Sequence, residues 1–399
     1  MTRKPEFLIL GAGAAGLMAA WKAAEQGASV TLVEGASRAG NKIRVAGGGK
    51  GNVTNRSIAP DRYVGEDPDF CRPVLKSYGS RAALRMLESL HIALEEREDG
   101  QLFCQASAAH LVEVLLDRCR ERHVRLLFEQ RILALEHDGQ EFVALLEDAR
   151  GGRAAVRAQR ALIALGSPAW PQIGASDLGH RLARQFGHRI VPARPALSPF
   201  IMPETWPLHG LAGISLRARI AMEQRTFEQA VLFTHKGLSG PAALQASCFW
   251  RKGKPLIVDF LPSVRLKDAL HAVEHGKLQV RTLLGRLLPD RLADALIPAD
   301  LASRKVAEVG KKDRERLALC VHNHQVVPLR LEGLTKAEAA AGGVDTRDVD
   351  PETLESRLRP GLYFAGEVLD VTGLLGGYNL HWAWASGCAA GSTAASSTL

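Results

Sequence analysis

The first 34 residues constrain the fold of this chain more than any other stretch. An apolar run, Phe7–Leu10, leads directly into the Gly-x-Gly-x-x-Gly sequence of Gly11–Gly16. A helical pattern follows and reaches a second apolar run, Val30–Val33, which ends at Glu34. Strand, glycine turn, helix, strand and acid in this order predict a βαβ unit that binds a dinucleotide. The alternative, a glycine-rich turn in an ordinary α/β domain, leaves the acid unexplained.

Each glycine of this turn has its own physical task. The first allows the tight turn from strand to helix, the second lets a pyrophosphate approach the backbone, and the third lets the helix pack closely on the strands. The helix N-terminus offers N–H groups and a partial positive charge to phosphates, and the acid can accept hydrogen bonds from ribose hydroxyls. The predicted contacts to the ADP half of the dinucleotide are Gly11, Gly13, Ala14, Ala15, Gly16 and Glu34.

The composition is that of a globular protein of two or three domains. The chain has 399 residues, 46% of them hydrophobic and 24% charged. It has no apolar run of membrane-spanning length, and its basic start leads into the first strand without a signal peptide, so we expect a cytoplasmic protein. The six cysteines form no Cys-x-x-Cys pair, which argues against a disulfide framework, a zinc site or a dithiol centre.

The net charge of +8 and the isoelectric point near 9.3 allow two interpretations. Scattered arginines beside acids, as in Arg118–Arg122, are typical of a solvated surface, and the chain has no lysine-rich tail. We therefore expect a small-molecule substrate, no nucleic-acid partner and no membrane partner. Attraction of anionic ligands or RNA is the alternative.

The pattern along the chain indicates an interrupted nucleotide-binding domain. Its parts are 1–190 and 338–399, and within the first part we predict one strand over 155–165. Residues 191–264 and 320–337, rich in proline, glycine and short alternating runs, indicate an inserted β-rich domain that resembles a barrel. Residues 265–319 are charged and helical in pattern, which indicates a small helical domain.

A second informative stretch, 361–387, joins a short strand to a glycine-rich loop and a helix. In FAD proteins with two dinucleotide sites, a late strand ends in a glycine and an acid that bind the ribityl–pyrophosphate region. A helix N-terminus aimed at the flavin ring would stabilise the negative charge of the reduced flavin. The alternative is a strand–loop–helix that only closes an α/β domain. The predicted contacts here are Gly366, Glu367, Asp370, Gly377, Asn379 and Leu380.

A third stretch, 40–55, places three consecutive glycines among basic and amide side chains. It begins just past the second strand, where an FAD crosses the carboxyl edge of the sheet. Backbone N–H groups of such a loop can hold phosphate or flavin carbonyl oxygens, whereas the alternative is a mobile glycine loop. The predicted contacts are Lys42, Arg44, Gly48 and Asn52, and Ile132 from a later alternating run completes the cofactor set.

Together these stretches resemble the aminoacetone-oxidase-like FAD-binding family of bacterial flavoproteins, which includes bile-acid reductases. The resemblance extends over nearly the whole chain and includes GGGKGNVTN, FTHKGLSGP at 233–241, AGGVDT at 341–346 and the stretch 361–387. It implies an α/β fold with a Rossmann-like FAD-binding domain split in sequence, an inserted β-barrel-like domain and a small helical domain. It also implies noncovalent FAD and an oxidoreductase activity whose substrate is unidentified.

Several positions depart from the family pattern. Arg-Cys usually follows the triple glycine, where this chain has Lys50 and Gly51, and a serine usually precedes it, where this chain has Ala46. Ser167 and Ala340 replace a glycine and a threonine. These changes leave the pyrophosphate site intact and put the substrate in doubt.

Catalytic candidates are fewer than cofactor contacts. His235, in FTHKGLSGP, could face the flavin and move a proton, although a structural hydrogen bond is the commoner role of such a histidine. Tyr378 and His381, at the start of the last helix, could line the flavin pocket or only pack. We see no metal-ligand spacing. A second Gly-x-Gly-x-x-Gly is missing, so NAD(P)H is expected only as a transient co-substrate.

These observations predict an FAD-dependent oxidoreductase that transfers hydride between a small organic substrate or NAD(P)H and the flavin. Two alternatives stay open. One is a flavin-containing RNA-modifying or RNA-binding factor, motivated by the basic isoelectric point, and the other is an FAD-binding redox sensor without turnover.

Overall fold

A computed structural model describes residues 6–272 and 276–396. The chain divides into two compact units. The first, here called the split unit, comprises Met1–Arg194 and Ala339–Leu399, and the second, the inserted unit, comprises Pro195–Glu338.

The described residues form helices and strands throughout both units. The helices are α1 (Ala14–Glu25), α2 (Asn41–Val45), α3 (Arg72–Ser77), α4 (Ser80–Ser89), α5 (Ala108–Glu121), α6 (Leu178–Gln185), α7 (Pro241–Ser247), α8 (Leu266–His271), α9 (Val280–Gly285), α10 (Asp290–Leu296), α11 (Lys311–His322) and α12 (Tyr378–Ser396). The strands are β1 (Phe7–Leu10), β2 (Val30–Val33), β3 (Asn52–Asn55), β4 (Tyr63–Val64), β5 (Leu94–Glu96), β6 (Gln101–Cys104), β7 (Arg125–Leu127), β8 (Arg131–His137), β9 (Phe142–Glu147), β10 (Arg153–Ala158), β11 (Arg160–Ile163), β12 (Ile190–Ala196), β13 (Phe200–Ile201), β14 (Ser215–Met222), β15 (Arg225–Phe233), β16 (Gly237–Ser239), β17 (Leu256–Asp259), β18 (His324–Val326), β19 (Arg330–Leu331), β20 (Ala339–Val344), β21 (Leu362–Phe364) and β22 (Thr372–Gly373).

A five-stranded parallel sheet organises the split unit, in the order β21-β11-β1-β2-β7. Its central strands are mainly apolar and almost completely buried, as expected of a sheet covered by helices. The register aligns Leu10 with Ile163 and Val33, and Ile163 with Phe364. The loops that follow β1, β2, β11 and β21 therefore leave one edge of the sheet together.

The single strand predicted over 155–165 is wrong, because two strands occupy this stretch. β10 pairs antiparallel with β9 in the three-stranded sheet β10-β9-β8, whereas β11 pairs parallel with β1. The chain changes sheets at Gln159, between the two strands. An apolar pattern alone does not reveal such a change, because both strands bury part of their surface.

Helices α1 and α12 pack closely through small residues. A Cβ atom added to Gly387 would lie 2.4 Å from the carbonyl oxygen of Ala15, and one added to Gly391 would lie 2.5 Å from that of Ala19. Backbone thus meets backbone along this contact, which places the middle of α12 beside the first turns of α1.

The variant Gly387→Ala is expected to lower the free energy of unfolding by about 2 kcal/mol or more, because the added methyl group forces the two backbones apart. Urea unfolding monitored by circular dichroism measures this loss. Ser396→Ala is the control on the same helix, where two exposed hydrogen bonds, to Gln26 and to the carbonyl oxygen of Ser392, are lost and a change below about 0.5 kcal/mol is expected. Equal stability of the two variants would contradict the close contact.

The inserted unit contains a seven-stranded antiparallel sheet in the order β18-β17-β14-β15-β16-β13-β19. The helices of this unit are α7–α11, of which α7 contacts β14, β15 and β16. The core is mainly aliphatic and also includes Phe200, Phe233, Trp250 and Phe260, each at most 6% exposed. This unit thus has a hydrophobic core of its own.

Candidate functional site

The glycine turn after β1 is shaped so that side chains cannot enter it. Gly11 has φ +104°, and a Cβ atom there would lie 2.5 Å from the carbonyl oxygen of Ala164. At Gly16 a Cβ atom would lie 1.8 Å from the carbonyl oxygen of Gly11. Neither position can accept even alanine without moving the backbone, so the turn holds α1 directly against β1 and β11.

Gly13 differs from its neighbours because the space beside it is open. Among the described atoms, none lies within 4 Å of a Cβ atom built on Gly13. The residue is the N-cap of α1, with an extended backbone at φ −77°, and no described side chain caps the helix. Ala14 and Ala15 begin the helix and are nearly buried. The first N–H groups of α1 therefore border open space, which suits a pyrophosphate.

Glu34 lies at the end of β2 and braces this turn. One carboxylate oxygen accepts a hydrogen bond from the N–H of Ala12 at 2.8 Å, and the other accepts from the N–H of Ala36 at 2.9 Å. Each carboxylate oxygen has a second lone pair that could receive a ribose hydroxyl. Sequence and geometry thus agree on an acid beside the glycine turn.

Lys42 and Glu367 meet across the same edge of the sheet. The ammonium group of Lys42, on α2, lies 2.5 Å from one carboxylate oxygen of Glu367, which follows β21. The other carboxylate oxygen accepts a hydrogen bond from the N–H of Ala340 at 3.2 Å. Glu367 therefore connects three segments and keeps the cationic group at the site.

Gly366 is fixed by the last helix in a way that the sequence interpretation missed. Its N–H donates to the hydroxyl of Ser386 at 2.9 Å, and its carbonyl oxygen accepts from the indole N–H of Trp382 at 3.2 Å. These two side chains are four residues apart on α12, so helical spacing was the signal that could have identified them.

The start of α12 lies against β3, where a polar atom is left without a partner. The amide nitrogen of Asn52 donates to Gln101 at 2.9 Å, but its buried Oδ1 has no hydrogen-bond donor among the described residues. A Cβ atom on Gly377 would lie 2.7 Å from that oxygen and 2.5 Å from the carbonyl oxygen of Thr54. A buried acceptor of this kind fits a donor on a bound molecule.

Two further predicted contacts are engaged with backbone groups of the protein. The side-chain amide of Asn379 exchanges two hydrogen bonds with Gly373, both at 2.8 Å. Asp370 is buried and accepts from the N–H groups of Glu66 and Gly342, and burial raises the pKa of its carboxyl group. Both residues shape the loop before α12.

The remaining predicted contacts differ in their surroundings. Arg44 pairs with Glu113 at 2.5 Å and donates to the carbonyl oxygen of Ala39, so its charge is already engaged by the protein. Gly48 has φ +68° and open space around it, Ile132 is buried on β8, and Leu380 is half-buried on the first turn of α12.

His381 lies fully buried between α12, β3 and the end of α3. Its Nδ1 lies 2.8 Å from the hydroxyl of Thr54, and its Nε2 lies 2.9 Å from the carbonyl oxygen of Tyr78. The carbonyl can only accept, so Nε2 donates and Nδ1 accepts from the hydroxyl. Burial lowers the pKa of His381 to about 4. A neutral, doubly bonded imidazole positions α12 and has no free nitrogen for proton transfer.

Acid is therefore expected to weaken the fold through His381. The pKa of His381 is depressed in the folded state, so the unfolded chain takes up the proton first as the pH falls. The full free energy of unfolding is therefore present above about pH 6.5, and up to about 3 kcal/mol of it is lost as the pH falls towards 4. Unfolding free energies measured between pH 7 and 4.5 should fall less steeply in His381→Gln than in the wild type. Identical slopes would contradict the burial of this imidazole.

Tyr378 and His235 occupy different settings. Tyr378 begins α12, is 5% exposed, and packs edge-to-face on Tyr63, whose hydroxyl donates to its carbonyl oxygen at 3.2 Å. Burial raises the pKa of the Tyr378 phenol. His235 is exposed in the turn between β15 and β16 of the inserted unit, and its catalytic role stays a prediction.

No group of three or more His, Cys, Asp and Glu side chains within 6–272 and 276–396 is arranged to bind a metal ion. In the same part of the chain, no helix is both long and apolar enough to cross a membrane.

A family model described as the HI0933-like protein Rossmann domain matches residues 5–393. The chain belongs to this family. Its fold class is α/β with a Rossmann-like FAD-binding domain and inserted antiparallel sheets, as predicted, and the protein is an FAD-dependent oxidoreductase. The open space at Gly13, the acid at Glu34 and the Asn52 oxygen that lacks a donor among the described residues fit that cofactor.

Sequence similarity to curated relatives covers almost the whole chain. The ribosomal RNA dihydrouridine synthase of Escherichia coli (strain K12) is 36% identical over 95% of both chains, and that of Haemophilus influenzae is 35% identical over 97% of both. The 3-dehydro-bile acid delta(4,6)-reductase of Clostridium scindens is 32% identical over 97% of this chain and 98% of its own.

Solved structures with the same fold include two steroid enzymes of low sequence identity. The 3-ketosteroid delta1-dehydrogenase of Sterolibacterium denitrificans is 12% identical, with a TM-score of 0.53 and complete coverage of both chains. The 3-ketosteroid-delta4-(5alpha)-dehydrogenase of Rhodococcus jostii RHA1 is 15% identical, with a TM-score of 0.52 over 99% of this chain and 98% of its own.

Proposed function

We propose that this protein reduces a uracil base of ribosomal RNA to dihydrouracil, with FAD as the resident cofactor and NADH or NADPH as the electron donor. The observation that carries the proposal is the pair of ribosomal RNA dihydrouridine synthases, 36% and 35% identical over at least 95% of both chains. This proposal favours the RNA-modifying alternative over a small-molecule substrate and revises the expectation of no nucleic-acid partner.

The names of the relatives point to one reaction class. Dihydrouridine formation saturates the C5–C6 double bond of uracil, which is conjugated to the C4 carbonyl group. A delta(4,6)-reductase acting on a 3-oxo steroid likewise saturates a carbon–carbon double bond conjugated to a carbonyl group. In both reactions a hydride adds to a carbon of the double bond remote from the carbonyl group, and a proton adds to its neighbour. Bound FAD supplies the hydride transfer.

The residues of the split unit would hold the two halves of the cofactor differently. The turn at Gly13 and the N-terminus of α1 would bind the pyrophosphate, and Glu34 would bind the ribose of the ADP half. Lys42 would contribute positive charge, and Oδ1 of Asn52 would accept a hydrogen bond from the flavin half. The N-terminus of α12 would stabilise negative charge on the reduced ring.

A second candidate, reduction of a steroid-like enone, is favoured by the bile-acid reductase at 32% identity. The cofactor half of the site would serve both substrates equally. The substrate therefore distinguishes the two functions, and both can be tested with the same purified protein.

Production of the chain in Escherichia coli cells that lack their own ribosomal RNA dihydrouridine synthase tests the proposal. Mass spectrometry of nucleosides from purified ribosomal RNA should show dihydrouridine restored by the wild type and by Gly310→Ala, but not by Gly13→Ala. Both glycines are N-caps of helices with open space around a Cβ atom, so the variants are matched. The second candidate would be favoured by two results together. The deletion cells that produce the wild-type protein would contain no dihydrouridine in their ribosomal RNA, and the purified protein would turn over a 3-oxo-4,6-diene steroid in vitro.

A further inference from the structure

The charge of the protein is concentrated in the inserted unit. Residues 195–338 contain 21 Lys and Arg against 14 Asp and Glu, so this unit carries +7 of the net charge of +8. The split unit is thus close to neutral although it is the larger. Such an asymmetry indicates that the inserted unit meets the anionic partner.

Within the inserted unit, basic residues gather at the end of the β14–β15 hairpin. Arg225 follows the hairpin turn, and Arg251, Lys252 and Lys254 occupy the turn before β17; these four residues are here called the hairpin-end patch. The ammonium group of Lys254 lies 3.9 Å from the carboxylate of Glu223, which is part of the hairpin turn. This ion pair connects the two turns. Both of those side chains are more than half exposed, so this contact neutralises little of the charge.

The turn that carries the patch is fixed by buried neighbours. The indole N–H of Trp250, which is 6% exposed, donates to the carbonyl oxygen of Lys254 at 2.8 Å. The N–H of Lys254 donates to the carbonyl oxygen of Arg251 at 3.0 Å. Arg251 and Lys252 are exposed and form no ion pair with a described residue. Two cationic side chains are thus presented to solvent from a fixed turn.

An aromatic surface adjoins these charges. The guanidinium group of Arg225 lies 3.9 Å from the ring centroid of Phe249, and that ring stacks on Phe227 with centroids 5.8 Å apart and an interplanar angle of 21°. Arg225 is exposed and Phe249 is half-buried. A guanidinium held over a ring can stack on an unpaired base with the face that is turned away from the ring.

We infer that the hairpin-end patch binds ribosomal RNA, with Arg251 and Lys252 on backbone phosphates and Arg225 stacked on a base. This inference rests on the proposed function, because it supplies the RNA contact that such a substrate requires. Phosphate contacts explain the excess of cations, and the Arg225–Phe249–Phe227 stack explains why aromatic rings lie beside them.

The test compares two variants with the same change in total charge. Arg251→Glu/Lys252→Glu reverses two charges of the patch, and Lys76→Glu/Arg81→Glu reverses two exposed charges on the split unit. Filter binding to unmodified ribosomal RNA transcripts at several salt concentrations measures affinity. We expect the patch variant to bind between tenfold and a hundredfold more weakly at about 0.1 M salt and to lose about 1.4 to 1.8 from the salt slope, because each phosphate contact contributes about 0.7 in a single strand and about 0.9 in a duplex.

The control variant should keep the wild-type slope, and both variants should keep the same rate of flavin reduction by NADPH. Arg225→Ala should weaken binding with little change in slope, since stacking is less dependent on salt. If the wild-type protein binds RNA and forms dihydrouridine, and the patch variant has the same affinity and salt slope, the inference is overturned and the proposed function stands. Absence of both RNA binding and dihydrouridine in the wild type would instead overturn the proposed function, and the inference with it.

Discussion

Replacing Gly13 with Ala is expected to abolish FAD binding while the apoprotein stays as stable as its control. The methyl group would meet no described protein atom within 4 Å, and φ of −77° suits any residue. It would project into the space in front of the α1 N-terminus, where the pyrophosphate is expected. The clash would therefore fall on the cofactor and spare the fold, and the affinity for FAD should drop at least about a hundredfold.

Fluorescence titration of the apoprotein with FAD measures this affinity, and urea unfolding without FAD measures stability. Gly310→Ala is the control, because it is an N-cap of similar backbone conformation, at φ −72°, and has open space at its Cβ position. The small cost of losing a glycine N-cap is thereby present in both variants. Normal FAD affinity in Gly13→Ala would show that the cofactor does not bind in front of α1.

Gly377→Ala should damage both the fold and FAD binding. The methyl group would lie 2.5 Å from the carbonyl oxygen of Thr54 and 2.7 Å from Oδ1 of Asn52, and the residue has φ +93°. Overpacking and left-handed strain together are expected to lower the free energy of unfolding by about 3 kcal/mol. The displaced start of α12 would also move Asn52, which we expect to contact the flavin half.

The control Gly174→Ala separates strain from contact. Gly174 has φ +96°, but no described atom lies within 4 Å of its Cβ position, so only the strain of about 1 kcal/mol should appear. Urea unfolding and FAD titration of the two variants make the comparison. Equal losses of stability would mean that the close approach of α12 to β3 is not what makes glycine necessary at this position.

The parts of the site predicted from sequence were those built from neighbouring residues. The turn at Gly11, the helix behind it and the acid at Glu34 form one continuous βαβ unit, so spacing alone identified them. The strand end at Gly366 and Glu367 was also visible locally, because an apolar run stops there. The family and the FAD-dependent oxidoreductase activity inferred from these segments were confirmed.

Interactions between distant segments were not accessible in the same way. Arg44 lies in the predicted glycine loop, yet its guanidinium is engaged by Glu113 on α5. His381 has the sequence position of a pocket residue, but Thr54 and the backbone of Tyr78 occupy both of its nitrogens. The change of sheet at Gln159 likewise depends on pairing with strands far along the chain. The periodicity of apolar residues predicts which side chains are buried, but it does not identify the segment against which they pack.

The proposal that this protein reduces uracil in RNA with FAD is tested most directly by anaerobic reoxidation of the reduced holoenzyme. The purified protein is reduced with one equivalent of NADPH and mixed with an unmodified ribosomal RNA transcript in a stopped-flow spectrophotometer. We expect the absorbance of oxidised flavin to return and one dihydrouridine to form per flavin reoxidised. Flavin that stays reduced with the transcript but reoxidises with a 3-oxo-4,6-diene steroid would contradict the proposal.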